Sequence, residues 1–306
     1  MTIMNIGSSE TTRETPLINF DFTEFMQNAV PSHIKNIDQH YLEWLVGFIE
    51  GDGTFYFRKD NKNVRLGFEI SQKDPKVLFQ IKKTLGFGSV IMSKKANYWL
   101  YKVDDKKNFQ RIILLLNGNL VLTKRYVQFN NWIEMAKKKD YLPLNFQNKQ
   151  IKRQVSTKTA WLSGFIDAEG CFYANVSTSA PRSPLTFSIK QKMHITQKNE
   201  YDEKQTLETI GKLFFSKSKV HRANENFSYR IELSSLNSHQ QIRNYLSRFK
   251  LKTNKYISFC RWLRILTVRE KHDHLIEANL SKLQRLCSVI NNDSKELLEK
   301  HKNITD

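Results

Sequence analysis

The sequence predicts an α+β protein built twice over, as two tandem αββαββα halves related by a pseudo-twofold axis. Each half carries a four-stranded antiparallel sheet. Three observations lead there. The block WLVGFIEGDGTFYF at 44–57 returns as WLSGFIDAEGCFYA at 161–174, 117 residues later. Two further blocks repeat in the same order: Phe68–Lys73 matches Met193–Lys198 at 125 residues, and Thr123–Tyr126 matches Thr253–Tyr256 at 130. Six residues after each of these last blocks comes a tryptophan, Trp132 or Trp262. The growing offset places small insertions in loops of the second copy, where they cost little. Aromatic and polar residues also alternate after each long repeat, as in strands exposed on one face.

The elements follow in order. Asp38 is placed to cap a helix over 41–50, and Ser156 or Thr157 one over 160–167. A glycine turn is expected at 51–53 and at Gly170. Strands are expected at 54–59 and 64–72, and at 171–178 and 185–197. Shorter strands come at 89–93 and 98–103, and at 219–222 and 227–233. Helices fill 74–85 and 106–116, then 201–215 and 236–248, and a last helix starts near 124 and near 254. The domain reading is an irregular extension at 1–35, a first half at 36–136, a Lys- and Gln-rich linker at 137–156 and a second half at 157–306. The second half ends in a charged helical extension after 270.

Charge narrows the partner. Lys and Arg number 49 against 30 Asp and Glu, a formal +19, which suits a polyanion because neutralised phosphates release condensed counterions. Hydrophobic residues at 40% and aromatics at 12% support real cores and exclude a disordered basic tail. No apolar run approaches the roughly 20 residues of a membrane span. Cys171, Cys260 and Cys287 lack C-x-x-C spacing, which excludes a zinc module or disulfide framework and fits a reducing compartment. Glu10, Glu14, Asp21 and Glu24 with the single Arg13 make the N-terminus a poor transit peptide.

The repeated motif has readable physics. Gly47 and Gly164 sit mid-helix, where glycine costs about 1 kcal/mol relative to alanine. Close approach of two helices would offset that cost, with Val46 and Ser163 at the same interface. Helices packed side by side would bring Asp52 and Glu169 together at their C-terminal ends. Two carboxylates at the negative ends of helix dipoles repel, so a cation is needed between them. Carboxylate oxygens suit Mg²⁺, or Mn²⁺. The bland alternative for each acid is a solvated helix end; the matched pair favours a metal site.

These residues, Leu45–Gly53 and Leu162–Gly170, resemble the signature of the LAGLIDADG homing endonucleases, and the resemblance runs over about 38–268. It implies a single-chain enzyme with both half-sites read by one polypeptide, hydrolysing phosphodiesters of double-stranded DNA with Mg²⁺ or Mn²⁺. It implies metal binding by Asp52 and Glu169, assisted by the carbonyls of Gly51 and Ala168, while Glu50 and Asp167 steady the helix interface. Gln72 and Gln197 match a family position near the attacking water. Lys252 matches a family lysine beside the scissile phosphate; copy one has Leu122 there, followed by Lys124, a further DNA-contacting candidate, and Arg125. On the strands, Tyr56, Arg58, Arg65 and Glu69, with Asn175, Lys190, Lys192 and His194, would face the major groove if strand parity holds, and would otherwise form a solvated face. His194 has no His or Cys nearby in sequence to make a metal site with it.

The resemblance implies intron mobility started by the cut. Alternatives are an RNA maturase acting on intron RNA, a DNA-binding protein without catalysis, and a purely structural basic protein that leaves the repeat unexplained. Acids at both Asp52 and Glu169 argue against loss of catalysis. Organellar introns are the family's common home, and the Lys- and Asn-heavy composition suits an AT-rich genome. Expression inside the mitochondrion is therefore expected, with the chloroplast second.

Overall fold

The structure is a computed structural model that describes residues 19–34, 36–60, 63–93, 97–177, 187–224, 227–272 and 279–291. A short helix α1 (Thr23–Asn28) leads into α2 (Gln39–Asp52), then β1 (Gly53–Asp60), β2 (Asn63–Gln72), α3 (Lys76–Leu85), β3 (Ser89–Ser93), β4 (Tyr98–Val103), α4 (Lys106–Leu116) and α5 (Thr123–Lys138). The second half repeats the series as α6 (Trp161–Glu169), β5 (Gly170–Ser177), β6 (Ser188–Lys198), α7 (Glu203–Leu213), β7 (His221–Asn224), β8 (Ser228–Leu233), α8 (Leu236–Arg248) and α9 (Lys255–Glu270). A final helix α10 (Leu280–Ser288) packs on β5 and α9. Both sheets are antiparallel, in the orders β1-β2-β4-β3 and β5-β6-β8-β7.

Strand parity follows the hydrophobic alternation. Along β2, Leu66, Phe68 and Ile70 are buried, and along β6, Gln191, Met193 and Ile195. Residues between them form the outward face of each sheet. The inward faces meet matched aromatic cores, with Trp132 packed at a tilt against Phe109 and Phe55 (4.2 and 4.8 Å between ring centroids) and Trp262 against Phe172 (5.5 Å). The two repeated tryptophans are thus core residues.

The centre of the molecule is the α2–α6 pair. A Cβ built on Gly47 would lie 2.0 Å from the Trp161 carbonyl oxygen, and one on Gly164 would lie 1.8 Å from that of Trp44. The mid-helix glycines are therefore required by backbone-to-backbone contact, which repays their helix penalty.

Several expectations change. Residues 51–53 form no turn: α2 runs through Asp52 and passes directly into β1 at Gly53, whose backbone is extended. Gly170 does the same between α6 and β5. Asp38 caps α2 as expected, accepting from the amides of His40 and Tyr41. Neither Ser156 nor Thr157 caps α6, which begins at Trp161. Its Ala160 amide is instead bonded by Glu43 Oε2 of α2 at 2.9 Å, so the first helix caps the second. The extension at 1–35 is not irregular throughout, because Phe20, Phe22, Phe25 and Ala29 are buried and Asp21 and Asn119 exchange hydrogen bonds; residues 1–18 lie outside the described residues. Helix α7 starts later than expected, because Glu203 accepts from the amides of Glu200 and Tyr201 and holds them in a turn. The 137–156 linker begins as the end of α5, and residues 273–278 and 292–306 of the C-terminal extension lie outside the described residues. No helix among the described residues is long and apolar enough to cross a membrane.

Candidate active site

The packed motif helices set the geometry. A Cβ on Gly51 would lie 2.2 Å from the Ala168 Cβ and 3.2 Å from the Glu169 Cγ. Only glycine at this place lets the two helix ends, and so Asp52 and Glu169, converge. Their mutual repulsion shows on Asp52. Burial first, then the Glu169 charge, lifts its carboxyl to about 6, against the pull of Lys255, Gln72 and Arg125. Gln72 Nε2 donates to Asp52 Oδ2 at 2.6 Å, so the strand-end glutamine reaches the acid directly.

The preceding acids do different work. Glu50 is fully buried and accepts from the Val121 amide (2.9 Å), the Leu122 amide (2.7 Å) and Trp161 Nε1 (2.5 Å). Asp167 accepts from the Lys252 amide (2.6 Å), the Thr253 hydroxyl (2.6 Å) and Trp44 Nε1 (2.8 Å). Each acid therefore ties its own α4–α5 or α8–α9 loop to a tryptophan of the other half. Burial pushes Glu50 up to about 7 despite these donors.

Two cations that sequence reasoning passed over lie beneath the carboxylates. Arg125 donates to the carbonyls of Glu50 and Gly51 at 2.6 and 2.7 Å, and Lys255 to those of Ile166 and Ala168 at 3.2 and 2.9 Å. Burial pulls the Lys255 ammonium below the usual lysine range, while Asp167, Asp52 and Glu169 hold it up. They stand 130 residues apart within the third repeated block, the one basic pair there, and that pairing was the available signal. The Gly51 and Ala168 carbonyls, expected as metal ligands, thus accept from protein cations. Each of these carbonyl oxygens keeps a second lone pair, so the oxygens available to an ion are the two carboxylates and the two carbonyls. That set fits Mg²⁺ or Mn²⁺, which take one or two carboxylates and complete their shell with water and phosphate oxygens. Among the described residues no group of three or more His, Cys, Asp and Glu is placed to hold a metal.

The two flanks differ. On one, Lys124 Nζ crosses between halves to Gln197 Oε1 at 2.6 Å, and Lys152 of the linker bonds Thr123 and Asp202 at 2.6 and 2.5 Å. Gln197 therefore holds a lysine, whereas its counterpart Gln72 holds an acid. On the other flank a cavity of about 440 Å³ opens beside Asp52 and Gln72, with Asn254, the counterpart of Lys124, in its wall. Lys252 does not join the carboxylates. Its ammonium lies over the rings of Tyr41 and Trp44, 5.3 and 5.7 Å from their centroids, toward the N-terminal end of α2. Cation–π contact with two aromatics holds it there.

The outward sheet faces carry the remaining candidates. Tyr56 bonds Asp104 and lies against Gly67, where a Cβ would be 2.5 Å from its ring. Arg65, Asn175 and Lys190 are exposed, and the side chain of Arg58 lies outside the described residues. Lys192 pairs with Glu232 at 2.6 Å and lies over the Tyr173 ring. Glu69 and His194 occupy matched places on the two central strands. Burial, with Arg230 and Lys192 nearby, lowers His194 to about 4, so its ring is neutral at neutral pH.

Comparisons with known proteins add to this geometry. A family described as LAGLIDADG endonuclease matches residues 45–136 and 162–266. A Neurospora crassa protein named probable intron-encoded endonuclease 4 is 33% identical over 241 residues, 75% of this chain and 41% of that protein. A Saccharomyces cerevisiae protein named intron-encoded RNA maturase bI4 is 31% identical over 225 residues, 70% of this chain and 33% of that protein. This chain therefore spans well under half the length of either. The crystal structure of the I-LtrWI LAGLIDADG homing endonuclease bound to target DNA aligns with 83% of this chain and 99% of its own, at 21% identity and a TM-score of 0.69, a likeness of fold.

Proposed function

This chain belongs to the LAGLIDADG endonuclease family, and on that footing we propose that it is a site-specific double-strand DNA endonuclease, encoded in an intron and starting that intron's mobility. One observation carries the reading: Asp52 and Glu169 converge between two basic sheets whose outward faces are free to take a duplex. Phosphodiester hydrolysis needs a water that loses its proton and an offset for the charge growing on the leaving oxygen. Asp52 and Glu169 would hold Mg²⁺ or Mn²⁺, which supplies both effects when bound. Gln72 orients Asp52. Arg125 and Lys255 fix the carbonyl ends of the two helices, and with them the spacing of the acids. Lys124, steadied by Gln197, adds positive charge on one flank. Lys252, whose expected place is beside the scissile phosphate, lies against Tyr41 and Trp44 in the free chain. Its backbone amide and its ring contacts make it a positioning residue for Asp167 and α2.

One chain reads the whole site, so it binds double-stranded DNA one to one. Intron-encoded fungal relatives and the Lys- and Asn-heavy composition support a mitochondrial intron as its source, with the chloroplast as the alternative. The test uses DNA spanning the intronless host gene, with Mg²⁺ or with EDTA. The wild type cuts once in Mg²⁺, and a double variant, Asp52→Asn with Glu169→Gln, binds the same DNA without cutting it. Cutting by that variant at the wild-type rate would remove the assignment. The second reading is an intron RNA maturase, favoured by the yeast relative's name. Splicing of host-intron RNA, with and without the protein, decides it.

A further inference from the structure

The segment joining the two halves is bonded to both of them. Arg153 is buried; its Nε donates to the Gly118 carbonyl at 2.7 Å, and its backbone amide donates to that of Leu120 at 2.8 Å. Asn117, also buried, donates to the Gln147 carbonyl at 3.0 Å and accepts from the Lys149 amide at 2.9 Å. Residues 147–153 are therefore tied along the α4–α5 loop. Farther on the direction reverses. Arg248, at the end of α8, donates to the Thr157 carbonyl, and the Tyr245 hydroxyl to that of Thr159 at 2.9 Å. One segment thus meets both loops that feed the buried motif acids, Glu50 through the Val121 and Leu122 amides and Asp167 through those of Lys252 and Thr253.

The two copies diverge where they meet this segment. At the 130-residue offset, Asn117-Gly118-Asn119 stand where the second copy has Ser247-Arg248-Phe249. In the first half the segment supplies the arginine and the loop the carbonyl. In the second half the position matched to Gly118 supplies the arginine and the segment the carbonyl. A passive tether leaves its charged side chains in water. Burying a guanidinium is costly unless its donors are met, and here they are met by the loop.

The next residues carry the consequence. Helix α5 begins at Thr123, directly after the braced loop. In its first turn Lys124 reaches Gln197 across the halves, and Arg125 holds the Glu50 and Gly51 carbonyls. Lys152, next to Arg153 in the chain, bonds Thr123 Oγ1 and Asp202 Oδ2, which clamps the start of α5 to the second half. We propose that residues 147–157 are a brace of the active site, with Arg153 and Lys152 as positioning residues that fix the place of Lys124 on its flank. This rests on the endonuclease reading above.

The experiment follows the cut of each strand separately, in single turnover at saturating protein. The chains compared are the wild type, Lys124→Ala, Arg153→Met, Lys152→Met and the double variant of Lys124→Ala with Lys152→Met. The Lys152 side chain is half exposed, so Lys152→Met carries the test even where Arg153→Met fails to fold. A Lys124 displaced by a fraction of an ångström should slow one strand on the order of 10-fold and leave the other within about twofold. The slowed strand should be the one that Lys124→Ala slows. Lost stability alone would slow both strands alike. Residues that act through one group are not additive, so the double variant should be no slower than Lys124→Ala alone. No slowing, equal slowing of both strands, or a double variant slowed by the product of the single effects overturns the brace and leaves the endonuclease standing. A wild type that cuts no sequence overturns the endonuclease reading, and the brace with it.

Discussion

Replacing Gly164 with alanine tests the frame on which the site depends. In an ordinary helix the change would stabilise by about 1 kcal/mol. Here the new Cβ would stand 1.8 Å from the Trp44 carbonyl oxygen and 2.8 Å from the Phe48 amide nitrogen, both backbone atoms that no rotamer can move aside. Reaching even 3.0 Å from the oxygen requires the helices to part by about 1.2 Å. Overpacking of this kind costs roughly 1–3 kcal/mol, enough to reverse the helix gain. The catalytic effect should be larger than the effect on stability. Asp52 and Glu169 ride on these helices, and a misplacement of about 1 Å costs on the order of 100-fold in rate. Gly164→Ala should therefore melt a few degrees below the wild type and cut roughly 100-fold more slowly in single turnover, with DNA still bound. The assays are a calorimetric melt and a quenched cleavage time course. A variant that melts at or above the wild type and cuts normally would show that the helix contact does not govern the acids.

The remaining predictions concern charge and cross-half ties. Asp52 sits at about 6 in the folded chain, above its ordinary 3.8, so the folded state holds the extra proton; this group's contribution to stability is full in acid and is lost as pH rises through about 6. In the absence of metal, Asp52→Asn should accordingly raise the melting temperature at pH 8 and leave it unchanged at pH 4; metal-free melts across that range check this. Glu50→Ala strips the acceptor from two amides and the Trp161 indole, and should destabilise by on the order of 3 kcal/mol or more, against about 1 for Trp161→Phe, in denaturant titrations. Lys124→Ala should slow one strand's cut more than the other's, because its counterpart is the neutral Asn254; separately end-labelled strands report this, and equal slowing would contradict it.

The duplicated plan was legible because both copies keep the same apolar spacing and the same mid-helix glycines. Gly47 and Gly164 signalled a close crossing since nothing else repays a glycine there. Strand parity, left open in the sequence, is fixed in the fold by the burial of Phe68 and Ile70 on either side of Glu69. What stayed hidden depends on residues brought together only by folding. The cap on α6 comes from Glu43, more than a hundred residues away, so no local cap could reveal it. The contact of the Lys252 ammonium with Tyr41 and Trp44 likewise joins residues far apart in the chain. Arg125 and Lys255 bond main-chain carbonyls, and a carbonyl has no letter in the sequence.

The reciprocal bonds between the motif helices bear on how such a chain can change over generations. Glu43 serves Ala160, Trp44 serves Asp167, and Trp161 serves Glu50, so each helix is completed by its twin. A lineage that alters one member of the Trp44–Asp167 or Trp161–Glu50 pair must alter the other in step, whereas Glu43 bonds a backbone amide that any residue but proline supplies, and the outward strands answer only to the sequence they meet. Hybrids of two relatives should therefore survive when both helices come from one parent and only the sheets are exchanged. A junction placed in the linker would part every one of these pairs.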